Sequence, residues 1–344
     1  MKQLFYTLFI FTSVSVIAQD IHFSQFDETP LQLNPSNAGL QYETRVVVNY
    51  KSQWQSINAP FKTMAASADM RFLKKKKHHI AAGVDFFSDN ASNSTIKSSQ
   101  VNLSVSAIIN MDKKNKLSAG LMAGYAQRRI DMGSYTWGNQ YNGIAYDGGK
   151  GSGEPQITNA FAYLDLGAGV QYSHGDKEMY VSANNAKNIN IGFAVFHPHK
   201  PAYSFFRDDT RLYAKFVFHG DAAIGIPNSN VVLKPSYIAF FQGPSKEITP
   251  GITVQYVLGE RSKYTRIKKF TAFSIGGYYR MKDALIAVAK FEWAGYSVGF
   301  SYDVNLSQLR KATSTRGGFE ISLHMGIPRQ PKGVAGASRL GIFS

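Results

Sequence analysis

The sequence predicts an all-β protein: a transmembrane outer-membrane β-barrel of about fourteen antiparallel strands, preceded by an extended, plug-like N-terminal segment. Three observations predict it. After residue 45 helical periodicity is almost absent and apolar and polar residues alternate with a period of two. The alternating runs are about nine to twelve residues long, which suits a tilted strand crossing a bilayer, and many carry aromatics towards their ends. The chain also opens with a secretory signal over residues 1–18, in which Lys2 precedes an apolar stretch from Leu4 to Ile17, and Val16 and Ala18 supply small residues before the cut.

The signal sets the compartment and thereby the meaning of the charge. The apolar stretch is too short to span a bilayer comfortably. The whole chain carries 38 Lys+Arg against 23 Asp+Glu, a net +15. Cleavage after Ala18 removes one lysine and no acid, leaving 37 against 23, or +14. An exported protein does not meet the genome, so this charge points to an acidic membrane face or an acidic partner and not to nucleic acid. The 344 residues include no cysteine, which excludes disulfides, thiol nucleophiles, Cys-ligated zinc, iron–sulfur clusters and a lipoprotein anchor. No apolar run of about 18 residues follows the signal, which excludes a helical membrane protein.

Residues 19–44 form the next unit. They are polar and aromatic, contain Pro30 and Pro35, and are expected to be extended and not helical. The segment either fills the periplasmic mouth of the barrel as a plug, with Phe23 and Phe26 as anchors, or packs against the first and last strands.

The barrel is expected over 45–326, with strands at 45–52, 61–72, 79–88, 95–110, 116–130, 160–173, 189–197, 210–220, 231–242, 248–259, 269–280, 283–293, 295–304 and 318–326. The alternation is clear in Val101, Leu103 and Val105 against Asn102, Ser104 and Ser106, and in Tyr296, Val298, Phe300 and Tyr302 against Ser297, Gly299, Ser301 and Asp303. A lipid-facing side chain must be apolar and one facing a wet lumen can be polar. A soluble β-sandwich shows the same alternation with its polar face in water. Strand length, terminal aromatics and glycines recurring on the polar faces select the membrane barrel.

Strand parity then orients the loops. With a periplasmic N-terminus the longest loop, 131–159, is external. Turns after even strands are periplasmic and hold Lys74, Lys75, Lys76 and Lys77, then Lys113, Lys114 and Lys116, then Arg261, Lys263, Arg266, Lys268 and Lys269. A basic tail over 327–344 adds Arg329, Lys332 and Arg339. The basic charge is thus expected to gather at one rim, either as solvated turns touching phospholipid headgroups or as a docking rim for an acidic periplasmic partner.

Catalytic and metal patterns are weak. His197-Pro198-His199 is split by proline and has no nearby carboxylate cluster, and His78-His79 follow a lysine run that repels a cation. Ser322 and His324 share one strand face, too little for a hydrolase, which needs an orienting group as well. Asp165, Lys290, Glu292, Asp303 and Glu320 fall on polar faces and are expected to brace the lumen as ion pairs. No phosphate-cradling glycine loop is present. No catalytic residue, cofactor or metal is expected.

The motifs carry one resemblance. The mature chain opens Asp20-Ile21-His22-Phe23-Ser24-Gln25-Phe26, then Pro30-Leu31, Asn34-Pro35, Ala38-Gly39, Asn49-Tyr50-Lys51 and Gln53-Trp54. Downstream come Trp137-Gly138-Asn139-Gln140-Tyr141-Asn142-Gly143, Tyr279-Arg280 with Asp283-Ala284, Ser301-Tyr302-Asp303-Val304-Asn305-Leu306-Ser307 and Gly317-Gly318-Phe319-Glu320-Ile321-Ser322-Leu323. This order resembles the PorP/SprF family of type IX secretion system membrane proteins over nearly the whole mature chain. Lys51 stands where the family usually has arginine, and the basic tail is an extension.

The resemblance implies an outer-membrane accessory, embedded in outer-membrane lipid, that supports export or surface retention of large adhesin-like cargo by binding. It implies partners in the periplasmic components of type IX secretion and in the C-terminal domain of the cargo. The external motif with Trp137, Asn139 and Gln140 is then the cargo side. His22, Phe23, Ser24, Gln25 and Phe26, with the Lys74–Lys77 run, are the periplasmic side. The alternatives are a porin-like solute channel with a conducting lumen and, less favoured, a lipid hydrolase using Ser322 and His324.

Overall fold

The computed structural model describes residues 20–54, 60–74, 78–91, 96–131, 135–153, 158–175, 187–206, 208–259, 270–308, 310–313 and 315–328. The signal segment 1–18 and the tail beyond Pro328 lie outside them. Fourteen strands form one closed antiparallel barrel in which each pairs with its sequence neighbours. They are β1 Tyr42–Gln53, β2 Phe61–Lys74, β3 His78–Ala91, β4 Ile96–Asn110, β5 Asn115–Ile130, β6 Ala160–Gly175, β7 Lys187–Phe196, β8 Lys215–Gly225, β9 Val231–Gln242, β10 Ser245–Gly259, β11 Thr271–Arg280, β12 Ala284–Trp293, β13 Tyr296–Asn305 and β14 Arg316–Pro328. β1 closes on β14 in a register running from Tyr42↔Pro328 to Gln53↔Gly318. This closure extends the barrel to 42–328, beyond the expected 45–326.

Polarity decides between membrane barrel and soluble sandwich. On β4, Val101, Leu103 and Val105 are 48%, 56% and 47% exposed, whereas Asn102, Ser104 and Ser106 are at most 4% exposed. β13 repeats this, with Tyr296, Val298 and Phe300 outward and Ser301 and Asp303 inward. An apolar belt outside and polar groups inside is stable only where the outer surface meets hydrocarbon. Among the described residues no helix is long and apolar enough to cross a membrane.

Thirteen strands lie within a few residues of their expected positions, and β8 is displaced. The expected 210–220 becomes Lys215–Gly225, because the chain after Phe196 makes a rim loop. His197 and Lys200 adopt left-handed backbone angles (φ 55° and 47°), and Tyr203 and Thr210 are hydrogen-bonded across the loop. Its apolar residues, such as the buried Leu212, serve that loop.

The N-terminal segment corrects the expectation of an extended chain at the periplasmic mouth. It contains a 3-10 turn at Phe26–Glu28, a helical turn at Pro30–Leu33 and a second 3-10 turn at Pro35–Asn37. Pro30 and Pro35 open their turns, where a fixed φ and a missing N–H cost nothing. The segment runs the length of the lumen. The N–H of Asp20 donates to Gln242 at the end of β9, and Gly39 meets Asp69 and Arg71 near the opposite rim. We term the rim where β1 starts and β14 ends the terminal rim, and the other the far rim.

The barrel wall is thinned to admit the segment. A Cβ on Gly120 would lie 2.5 Å from the backbone of Pro35 and Ser36, and one on Gly169 would collide with the Asn34 side chain. Asn34 accepts the N–H of Ser36 at 2.9 Å, capping the turn, and donates to the carbonyls of Val170 at 3.1 Å and Phe193 at 3.2 Å. Leu31, Ala38 and Leu40 pack there on Ala81 and Ile108.

Candidate functional site

The strongest grip on the segment falls on residues 22–26. β1 and β14 set Lys51 opposite Glu320, with 3.3 Å between ammonium and carboxylate. Both side chains are 2% exposed, so the charges serve each other and the segment. One Glu320 oxygen accepts the N–H of Ser24 at 2.5 Å and the other accepts that of Gln25 at 2.9 Å. Lys51 donates to the His22 carbonyl at 2.9 Å. Charge-assisted bonds of this kind are about twice as strong as neutral ones.

Side-chain receptors surround this backbone clamp. The Ser24 hydroxyl donates to Asp303 at 2.8 Å and accepts from Arg280 at 2.8 Å. The Gln25 amide donates to Ser301 at 3.2 Å and accepts from Ser322 at 3.0 Å. His22 sits 3.1 Å from Glu247. Phe26 enters an apolar pocket with Met122, Phe196, Ile238 and Ile286, edge-on to Tyr278 at 5.1 Å. Phe23 is buried as well. All five sequence-predicted residues of this motif are therefore together inside the barrel.

Two further clusters fix the segment on either side. At the far rim, His197 lies 2.8 Å from Asp20 and 2.6 Å from Asp165, and Lys215 lies 3.6 Å from Asp20. Burial opposes ionisation of Asp20, but Lys215 and His197 hold its carboxyl well below the usual carboxylate range. Burial also opposes protonation of His197, and the two carboxylates outweigh it and raise the imidazole to about 9. Deeper, Lys290 pairs with Asp27 at 2.7 Å and with Glu28, whose second oxygen meets His324 at 3.0 Å.

Asp165, Lys290, Glu292, Asp303 and Glu320 all make polar contacts in the lumen, and several of them hold the segment. Ser322 and His324 contact different residues, Gln25 and Glu28. His197 has both ring nitrogens on carboxylates, while His199 meets the Leu164 carbonyl, so the pair does not converge. Among the described residues no group of three His, Cys, Asp or Glu is placed to hold a metal. Sequence reading missed Asp20, Glu28, Asn34 and Arg280 as functional contacts. Asn34-Pro35 and Tyr279-Arg280 stood in the quoted motifs, but nothing local says what they touch.

Beside the segment, the terminal half of the lumen is partly open. A polar cavity of about 450 Å³ is lined there by residues including Asp27, Arg45, Gln171, Asp221, Lys234 and His324.

The far rim carries the second motif. Trp137 is half-buried against Tyr135, Asn139 is exposed, and Gln140 is an internal brace. Gln140 accepts the N–H of Trp137 at 3.0 Å and donates to the Lys150 carbonyl at 3.2 Å. Tyr141 bridges to Tyr146, and Asn142 accepts the N–H groups of Ile144 and Ala145, making a small hairpin whose tip, Ile144, is 91% exposed.

The lysine run is less informative. Lys74 ends β2, while Lys75, Lys76 and Lys77 lie outside the described residues. Of the other basic residues expected at that rim, Arg261 to Lys269 and the tail residues Arg329, Lys332 and Arg339 also lie outside the described residues. Among the described residues, Lys62, Lys97, Arg129, Lys150, Lys200 and Lys282 stand at the far rim or its loops, where long cationic side chains reach past the apolar belt.

Residues 15–325 match the sequence profile of the family described as type IX secretion system membrane protein PorP/SprF. The chain belongs to this family. In this PorP/SprF protein the opening and closing motifs of the sequence, nearly 300 residues apart, are one site (Gln25 N to Glu320, a separation of 295). Family and inside-out barrel together make it an outer-membrane protein. No curated protein sequence matches it. Among solved structures the PorP/SprF barrel is similar to the Pseudomonas putida toluene transporter TodX, at 10% identity and TM-score 0.46, covering 86% of this chain and 93% of that one. It is also similar to the CymD monoaromatic hydrocarbon channel, at 10% identity and TM-score 0.42 over 88% and 93%. A further likeness is to BamA from Haemophilus ducreyi lacking POTRA domains 1-3, at 7% identity and TM-score 0.42 over 83% and 71%.

Proposed function

We propose that this PorP/SprF barrel is a binding accessory of type IX secretion that supports export or surface retention of large adhesin-like cargo without bond chemistry. The observation that carries this reading is the occupied far half of the lumen, where Asp20 to Phe26 are held by wall residues on several strands. A filled lumen suits a scaffold better than a solute channel. The turns of a bacterial barrel are short on the periplasmic side and its longer loops are external, so the terminal rim faces the periplasm, the loops at 131–159 and 197–214 face outwards, and His22 to Phe26 lie in the outer half of the lumen and not on the expected periplasmic side. On that orientation the hairpin with Tyr141, Ile144 and Tyr146 offers an exposed apolar tip to the C-terminal domain of the cargo. The terminal rim, where β2 ends at Lys74, faces the periplasmic secretion components.

Deleting the gene and comparing secreted and surface proteins tests the reading. Selective loss of one large adhesin from the surface supports it and names the cargo. An unchanged surface proteome, together with a large steady current from the purified barrel in planar bilayers, replaces it with the porin-like channel.

A further inference from the structure

We propose that the far half of the lumen is a peptide-binding site, filled in this chain by its own residues 20–26, that takes in trans an extended peptide of the same chemistry: an acidic first residue, a hydroxyl followed by glutamine, and an aromatic anchor. Its contacts are divided as in a peptide receptor. One set addresses the main chain: Gln242 accepts the N–H of Asp20 at 3.1 Å, Lys51 donates to the His22 carbonyl, and Glu320 takes two successive N–H groups. Such bonds favour any extended peptide. The other set reads side chains: His197 and Lys215 the carboxylate of Asp20, Asp303 and Arg280 the hydroxyl of Ser24, Ser301 and Ser322 the amide of Gln25, and the Tyr278 pocket the ring of Phe26. Pockets for particular side chains supply specificity.

The receptor depends little on its occupant. Most of its charged groups hold one another: Lys51 with Glu320 at 3.3 Å, Arg280 with Asp303 and Asp283 each at 3.2 Å, and His197 with Asp165 at 2.6 Å, while Lys215, which pairs with Asp20 of the occupant, also lies 4.8 Å from the Phe240 ring. These pairs keep those wall charges compensated when the segment leaves, and the strand ladders fix the positions of Lys51, Glu320 and Asp303. Residues 20–25 belong to no strand, so their withdrawal breaks no ladder bond. The cis segment competes with a trans peptide, and apparent affinity falls with the fraction of sites left open.

The test uses the full-length protein in detergent and a fluorescent synthetic peptide with the sequence of residues 20–29, with a scrambled peptide as control. Binding is read by anisotropy on the wild type, on Gln25→Ala, and on Gln25→Ala with Phe26→Ala. Strand circular dichroism and heat-modifiable migration report folding. Loosening the cis segment is expected to tighten peptide binding about tenfold, and adding Glu320→Gln to Gln25→Ala is expected to remove the gain. The milder single variant decides the matter where the double variant does not fold. Folded variants that bind the peptide no better than the wild type, or that bind the scrambled peptide equally, overturn the proposal.

Discussion

Glu320 receives the backbone N–H of Gln25 at 2.9 Å, joining the last strand of the barrel to the start of the mature chain. Its neighbouring cation is Lys51, across the seam that closes the barrel. One carboxylate therefore serves barrel closure and lumen filling together. The Glu320→Gln variant leaves Lys51 buried beside a neutral amide, and breaking one side of a buried pair costs about 3–5 kcal/mol. The urea midpoint of the purified barrel is expected to fall accordingly. Adding Lys51→Met removes the stranded charge and is expected to recover part of the loss, leaving the lost amide bonds as the residue.

Phe26 fills the pocket formed by Met122, Phe196, Ile238, Ile286 and Tyr278. Truncation to alanine opens a cavity there and is expected to cost about 3–5 kcal/mol. Because this ring packs on Tyr278, which lines the polar cavity, Phe26→Ala is expected to raise single-channel current in planar bilayers relative to the wild type. Equal currents from both proteins would show that the anchor does not limit passage.

His197 gives the far-rim latch a pH dependence with a definite sign. Its imidazole is raised from 6.5 to about 9, so the stability it contributes is fully present below about 6.5 and lost as pH rises through about 9. Asp20 is lowered, so its contribution is present at neutral pH and is lost only on strong acidification. The thermal midpoint is expected to fall between pH 7 and pH 10, and this decline is expected to flatten in His197→Asn. A variant that keeps the full decline would assign it to another group.

Strand positions were legible because lipid inverts the usual polarity and each face announces itself every second residue, as in Val101 to Ser106. β8 was misplaced because Leu212 and Tyr213 imitate the start of a strand while belonging to a rim loop. The route of residues 20–41 was not legible. Proline marks a break in regular structure, yet Pro30 and Pro35 here start turns, and the partners of Ser24 and Gln25 lie more than 250 residues away. Periodicity reports which face a side chain takes; it carries nothing about which wall a free segment meets. For the same reason Lys290 and Asp303 were recognisable as lumen charges, but their occupancy by Asp27 and Ser24 was not.

The far-rim hairpin separates folding from binding at adjacent positions. Gln140 braces the loop through Trp137 and Lys150, so Gln140→Ala is expected to loosen it at a cost of about 1 kcal/mol. Ile144 touches solvent over nearly its whole surface, and Ile144→Glu is expected to change stability by less than about 0.5 kcal/mol. The apolar tip is what the proposed cargo contact uses, and a buried charge there would be left uncompensated. Ile144→Glu is therefore expected to lower capture of the cargo C-terminal domain by the purified barrel, with the urea midpoint unchanged. Full capture by this variant would move the cargo contact away from the hairpin, leaving the aromatic loop around Phe205 and Phe206 as the next surface to alter.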